Sequence, residues 1–295
     1  MTNQGTGRPS ITVAAVQTQP VIGDVRGNLA AITEAVTRAA ERGARLVVLP
    51  ELCTTGYVFA SREEARALAE EVPTGPSTRS LTGLCSELGV HLVAGIAERE
   101  GDLLYNSAVL LGPDGHLGTY RKVHLWDNEN TIFEPGNLGL PVFDTPHGRL
   151  GMLVCYDAWF PEAFRALALQ GADAVCLPTN WVPIPGQQPG EPAMALSLCQ
   201  AAAHVNSIHV IAADRVGTER EQPFIGQSVI VGPTGWPLVP PAGSQEPETV
   251  LATTDLTDGR RLRRWNTHND PLANRRPEVY APYTGGEEQR GGRRG

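Results

Sequence analysis

Three short apolar runs in this chain each break off on a chemically active side chain. RLVVLPE (45–51) ends on Glu51, GMLVCYD (151–157) passes through Cys155, and AVCLPTNW (174–181) ends on Asn180 and Trp181. Runs this short, apolar on both alternating faces, suit strands buried on two sides rather than helices. A sheet buried on both faces needs helices to cover it, so these runs point to an α/β architecture. In open α/β sheets ligands gather beyond the carboxyl ends of strands, where these polar residues stand.

The surrounding pattern supplies the covering helices. ITVAAVQ (11–17) and RLVVL (45–49) bracket a helix expected over 28–42, with Leu29, Ile32, Val36, Ala39 and Ala40 on one face and Gly43 as its stop. A second helix is expected over 77–88 before Gly89, with Leu81, Leu84, Cys85 and Leu88 inward. Strands follow at 90–97, 105–111 and 117–121, with GPDG (112–115) as a turn between antiparallel partners. Further strands are expected at 149–155, 173–177, 208–213, 226–231 and 248–255, with helices at 161–170 and 193–206. VPIPGQQPGEP (182–192) is too rich in proline and glycine for regular structure, and reads as a loop over a site or as plain surface. No linker divides 11–283, so one domain is expected between flexible tails at 1–10 and 284–295.

Composition narrows the function classes. A net charge of −8 argues against nucleic acid as a partner, and no run of apolar residues is long enough to span a membrane. Five cysteines with no export signal fit reduced thiols in a cytoplasm. No CxxC pair occurs and the seven histidines lack ligand spacing, so no metal site is expected. Cys53, Cys85, Cys176 and Cys199 read as core, since a free cysteine usually behaves as a small hydrophobe.

Cys155 has company of another kind. YRKVHLWDNEN leaves a strand carrying Lys122 and, seven residues on, Glu129. A thiol, two carboxylates and an ammonium can make a covalent catalyst, in which a carboxylate takes the thiol proton and the cation steadies developing oxyanion charge. Asp157 reads as holding its turn by local hydrogen bonds, His124 as structural rather than as a partner for Cys155, and Glu162 as an acid at a helix N-terminus.

PELCTTGY (50–57), YRKVHLW (120–126), CYDAWFPE (155–162) and PTNW (178–181) together resemble the signatures of the nitrilase superfamily of carbon–nitrogen hydrolases, in that family's order and spacing. The likeness runs from about residue 11 to 283 and takes in YNSAVLLGPDG (105–115) and FEPGN (133–137). Within the family the chain is most similar to compact aliphatic nitrilases and amidases.

The resemblance implies a four-layer αββα sandwich. It implies Cys155 as nucleophile, Glu51 as general base, Lys122 as cationic stabiliser and Glu129 as the glutamate that orients the lysine and the substrate nitrogen. Tyr57, Trp126, Tyr156, Trp159, Asn180 and Trp181 are the expected substrate-binding residues, with the Tyr156 amide as a second oxyanion donor. The expected reaction is hydrolysis of a small linear amide to a carboxylic acid and ammonia through a thioester, with no cofactor. A nitrilase using the same four residues is the alternative, and an inactive scaffold or an acyltransferase on the same fold is more remote. A homodimer or higher homo-oligomer is expected. One departure stands out: where many members carry Arg-Ala-x-Glu-Asn, this chain has Ala202, Ala203, His204, Val205 and Asn206, so an ion pair is missing there.

Overall fold

The computed structural model describes residues 9–188 and 191–284. Thirteen strands are β1 (Ile11–Gln17), β2 (Ala44–Val48), β3 (His91–Glu100), β4 (Leu103–Gly112), β5 (Gly115–Arg121), β6 (Val142–Thr145), β7 (Gly148–Met152), β8 (Ala174–Pro178), β9 (His209–Ala213), β10 (Thr218–Glu219), β11 (Gln222–Pro223), β12 (Val229–Val231) and β13 (Glu248–Thr254). They form a six-stranded sheet ordered β13-β1-β2-β3-β4-β5, a five-stranded sheet ordered β12-β9-β8-β7-β6, and the small hairpin β10-β11. Strands β1, β2 and β3 run parallel, as do β7, β8 and β9, so the carboxyl ends of β2, β7 and β8 can be brought to one edge.

Alternation along the strands builds the layers. Val13, Ala15, Leu46 and Val48 of the first sheet meet Leu150, Met152, Cys176 and Ile211 of the second. The intervening Ala14, Val16, Val47 and Leu49 pack instead under helices α1 (Val25–Glu41) and, further on in the chain, Pro76–Leu88. Both faces of the sheet are thus buried, which is why its strands read as unbroken apolar runs. The remaining helices are α2 (Arg62–Leu68), α3 (the Pro76–Leu88 helix), α4 (Glu129–Ile132), α5 (Pro161–Leu169), α6 (Met194–Asn206), α7 (Gly259–Leu262) and α8 (Pro277–Thr284). Phe164 and Leu167 of α5 and Cys199 and Ala203 of α6 close the far side of the second sheet, completing the αββα sandwich.

The differences from expectation have local causes. Helix α1 starts at Val25 rather than 28 because the Asp24 carboxylate caps it, accepting from the Gly27 amide at 3.0 Å. The strand expected over 149–155 stops at Met152, and Cys155 instead opens a 3-10 turn, Cys155–Trp159. The strand expected from 226 begins only at Val229. Helices α2, α4, α7 and α8, strand β6 and the β10-β11 hairpin are additions; α2 is capped by Ser61, whose hydroxyl accepts from the Glu64 amide at 3.2 Å. The expected tails fall outside the described residues except for residues 9, 10 and 284, as do residues 189 and 190 of the loop 182–192.

At the departure in α6, Ala202, Ala203 and Asn206 are buried, and Asn206 turns its amide back to the Ala202 carbonyl at 2.9 Å. His204 bonds the Thr234 carbonyl at 3.0 Å and stacks on Trp265 with ring centroids 5.1 Å apart. Small side chains and a stacked ring therefore fill the place of an ion pair. No helix among the described residues is long and apolar enough to cross a membrane.

Candidate active site

The apolar runs outlast the pleated strands by a few residues, and the reactive side chains stand just past the sheet edge. After β2 the chain makes one more ladder-like bond, Leu49 N–H to the Val93 carbonyl at 2.8 Å, before delivering Glu51. After β7, Leu153 N–H reaches the Cys176 carbonyl at 3.2 Å before Cys155; after β8, Thr179 N–H reaches the Ala213 carbonyl at 2.8 Å before Asn180. Gly95 of β3 is needed for the first turn. A Cβ there would lie 2.4 Å from the Leu52 nitrogen and 2.5 Å from the Glu51 Cα, which are backbone atoms with nowhere to go.

Hydrogen bonds across the sheet–sheet interface lock these ends together. The Glu51 amide donates to the Thr179 carbonyl at 3.3 Å, and Asn180 Nδ2 donates to the Glu51 carbonyl at 3.0 Å. On the other side, buried Asp157 accepts from Tyr120 Oη at 2.8 Å, the Val154 amide at 2.9 Å and the His124 amide at 3.0 Å. Asp157 therefore fixes the cysteine turn and also ties it to the segment that carries Lys122. His124 Nδ1 pairs with Asp157 Oδ1 at 2.8 Å and its ring stacks on Phe160, so it serves the scaffold and not the thiol.

Lys122 is the hub. Its Nζ donates to Glu51 Oε1 at 2.7 Å and to Glu129 Oε1 at 2.8 Å, with Glu51 and Lys122 almost wholly shielded from solvent. Glu51 Oε1 also accepts from Asn106 Nδ2 at 2.7 Å, while Oε2 has no hydrogen-bond partner among the described residues. Glu129, at the start of α4, accepts from Tyr57 Oη at 2.6 Å through Oε1 and from the Trp126 amide at 3.2 Å through Oε2.

The charges set the protonation states. Burial drives the Glu51 carboxyl up; the Lys122 ammonium holds it down and the Glu129 charge raises it again, leaving it at about 7. Burial works against the Lys122 charge, but the Glu129 and Glu51 charges outweigh it and raise the group above its ordinary value. The Cys155 thiol is pushed well up by burial and by the Glu51 charge, against the pull of Lys122. A neutral thiol needs a base before it can act as a nucleophile, and a carboxylate poised near neutrality is able to serve as one. By contrast Cys53, Cys85, Cys176 and Cys199 are buried, and burial pushes each thiol up to about 12.

Cys155 adopts φ +46°, a left-handed conformation that costs a non-glycine residue about 1–3 kcal/mol. Strain of this kind at the bend aims the thiol into a narrow pocket lined by Trp126, Cys155, Tyr156, Trp159, Asn180, Trp181, Val182 and Ile184. Five of the six expected substrate-binding residues line it. Tyr57 does not, and lies behind Glu129 with its hydroxyl on that carboxylate. Val182 and Ile184 place the start of the proline-rich loop over the site.

Three residues in contact with this machinery were not expected from sequence. Asn106 carries a polar side chain in the middle of an apolar strand, LLYNSAVLL, and that break in alternation was its signal. Asp214 accepts from the Trp181 amide at 2.9 Å and seats the tryptophan wall. Glu219 accepts from the Tyr57 and Val58 amides at 2.8 and 2.6 Å from 162 and 161 residues away, which no local pattern announces.

The family model described as carbon-nitrogen hydrolase matches residues 12–264. A protein called nitrilase from Pyrococcus abyssi is 42% identical over 270 residues, covering 92% of this chain and 99% of its own. An N-carbamoylputrescine amidase from Solanum lycopersicum is 34% identical over 291 residues, covering 92% and 93%. A variant of the amidase from Nesterenkonia sp. AN1, solved with the product of Michael addition of acrylamide at its active-site cysteine, superposes with a TM-score of 0.75 at 30% identity, covering 92% of this chain and 99% of that one. With a family model spanning most of its length and relatives matched nearly end to end, the chain belongs to the nitrilase superfamily of carbon–nitrogen hydrolases and is an enzyme that hydrolyses carbon–nitrogen bonds.

Proposed function

We propose that the chain hydrolyses a small, uncharged amide to a carboxylic acid and ammonia through a thioester on Cys155. The observation that carries this is Lys122, buried between Glu51 and Glu129 and close enough to Cys155 for the three charges to act on its thiol. Glu51 takes the thiol proton as Sγ attacks the amide carbon. The resulting oxyanion meets the Lys122 ammonium and the Tyr156 N–H, donors of a kind whose individual loss costs other enzymes about 2.7–4 kcal/mol. The tetrahedral intermediate collapses with cleavage of the C–N bond, and Glu51 returns the proton to the departing nitrogen. Glu51 then removes a proton from the water that attacks the thioester, and the acid leaves as Cys155 regains its proton.

The walls support an uncharged substrate. Trp126, Tyr156, Trp159, Trp181, Val182 and Ile184 offer apolar and aromatic surface, and among the described lining residues none bears a formal charge that could pair with a charged tail. An unpaired charge taken out of water costs several kcal/mol. Butyramide is therefore expected to exceed both 4-aminobutyramide and the monoamide of succinic acid in kcat/KM by about a hundredfold or more. A preference for the cationic amide would turn the aromatic walls into an ammonium cage and overturn the uncharged-substrate reading.

The same residues can process a nitrile through a thioimidate, and the likeness to the Pyrococcus abyssi nitrilase favours that second reading. Ammonia release from nitriles and amides of equal chain length separates the two, and faster turnover of the nitriles would make the nitrile the preferred substrate. Either substrate requires an ionised Glu51. kcat/KM should accordingly rise with pH through an apparent value near 7, that of the Glu51 carboxyl. A flat profile between pH 5 and 8 would remove Glu51 from the base role.

Pairing of two copies through α6 belongs to the same proposal. Val205, Trp236 and Trp265 leave apolar surface exposed around that helix, 41%, 72% and 53% accessible respectively. Sedimentation at the mass of one chain would contradict it.

A further inference from the structure

The buried pair Arg215–Glu219 lies outside the pocket, yet its hydrogen bonds lead into the site. Arg215 and Glu219 are 1% and 4% exposed, with Arg215 Nη1 on Glu219 Oε1 at 2.8 Å. Arg215 is itself fixed by the Pro20 carbonyl at 2.8 Å and by the face of Phe224, 4.1 Å from its guanidinium carbon. Phe224 in turn meets the Tyr57 ring edge-on, with centroids 5.9 Å apart. The second oxygen, Glu219 Oε2, accepts from two successive amides, Tyr57 at 2.8 Å and Val58 at 2.6 Å. Gly56 makes room for this approach, since a Cβ there would stand 2.8 Å from Glu219 Oε1 and 2.6 Å from the Ile22 Cα.

Glu219 is held from its other side as well. It precedes the tight turn of the β10-β11 hairpin, where Arg220 and Glu221 adopt φ +46° and +71°. Arg220 secures that turn with two bonds of 2.6 Å to the Glu64 carboxylate of α2 and one of 2.9 Å to the Val58 carbonyl. The Tyr57 backbone is thus gripped by a carboxylate that two elements immobilise, and the Tyr57 hydroxyl reaches Glu129 at 2.6 Å.

We propose that Glu219 is a positioning residue of the site, acting through Tyr57 to hold Glu129 against Lys122. A buried carboxylate bound to a buried guanidinium and two amides is costly to assemble and rigid once formed, which suits the fixing of one geometry. The groups facing Glu129 are Lys122 from the end of β5, Glu51 from the end of β2, Tyr57 from the loop beyond Glu51, and Cys155 from the 3-10 turn. With Glu129 in place its charge raises both Glu51 and the Cys155 thiol. Letting it drift leaves Lys122 less neutralised and moves the titration of the Glu51–Cys155 pair toward lower pH.

The positioning role rests on the hydrolase reading, so its test includes a measurement that needs no turnover. Glu219→Gln places an amide NH2 against either the guanidinium or the two backbone N–H groups, while Tyr57→Phe removes only the hydroxyl link. Each is expected to lower kcat/KM about ten- to hundredfold. Each is also expected to shift the pH dependence of Cys155 alkylation by iodoacetamide toward lower pH, an effect that lost stability alone does not produce. The double variant should be no worse than the worse single one, because both break the same path. If Glu219→Gln does not fold, Glu219→Asp keeps the charge against Arg215 while withdrawing it from the two amides. Wild-type kcat/KM and alkylation profile in the Glu219 variant, or single effects that multiply in the double variant, would overturn the proposal. A wild-type enzyme that releases no ammonia from any amide or nitrile would defeat the hydrolase reading instead, and the alkylation profile would still decide the part played by Glu219.

Discussion

Replacing Cys155 by alanine is expected to abolish ammonia release, lowering kcat by about 10⁶-fold, the scale seen when other enzymes lose a covalent nucleophile. The fold should survive. The thiol is 7% exposed, and the turn around it is held by Asp157, which the substitution leaves alone. Alanine removes one sulfur atom and inherits the same positive φ. Thermal unfolding close to wild type, together with lost turnover, would separate a chemical defect from a structural one. Turnover within about tenfold of wild type, a difference of only ~1.4 kcal/mol in barrier, would move the covalent step to another residue.

Lys122→Ala should injure both activity and stability. Glu51 and Glu129 would be left facing one another in a site where they are 0% and 5% exposed. Breaking a buried ionic cluster by removing one partner costs about 3–5 kcal/mol, since the charges left behind are neither hydrated nor paired. The loss depends on pH with a definite sign. Burial already lifts the Glu51 carboxyl to about 7 in the folded state, and removing the ammonium that opposes this lifts it further. A carboxyl whose folded value lies above its unfolded one contributes its stability at low pH and loses it as pH rises through the folded value. The variant should therefore approach wild-type stability toward pH 4–5 and fall away from it above pH 7, as urea midpoints across that range will show. A deficit independent of pH would mean that lost packing of the lysine stem, not uncompensated charge, dominates.

The candidate site was legible in the sequence because three of its four residues follow buried strands, where a polar side chain after an apolar run has few bland explanations. Glu51 and Cys155 stand just past β2 and β7, and Lys122 follows directly on β5. Glu129 depended on the family spacing, because Asp127 and Glu134 flank it in sequence; in the structure its carboxylate accepts from Lys122 and Tyr57. Tyr57 shows how far a motif reaches. Its place in PELCTTGY marked it as near the site, but whether the ring faces substrate or its hydroxyl faces a carboxylate depends on the fold behind it.

What stayed hidden was mostly long-range. Glu219 reaches Tyr57 across 162 residues, and nothing in ADRVGTE announces a partner in another loop. The bend at Cys155 was hidden for another reason. An apolar run ending on a thiol looks the same whether it stays pleated or, as in this chain, leaves the sheet at Met152 and turns through a positive φ. The layers were easier to read, because burial on both faces leaves unbroken apolar strands. The small elements were not, because α2, α4 and the β10-β11 hairpin owe their place to caps and cross-chain hydrogen bonds rather than to long periodic patterns.

The central claim is that Cys155 becomes acylated while the nitrogen leaves. Acid-quenching the wild-type enzyme within the first turnover of butyramide, followed by intact-mass and peptide analysis, tests it directly. The expected result is a butyryl group on the Cys155 peptide, formed in step with one equivalent of ammonia and absent from the alanine variant. Ammonia release with no acyl group on Cys155 at any quench time, or an acyl group on a different residue, would contradict it.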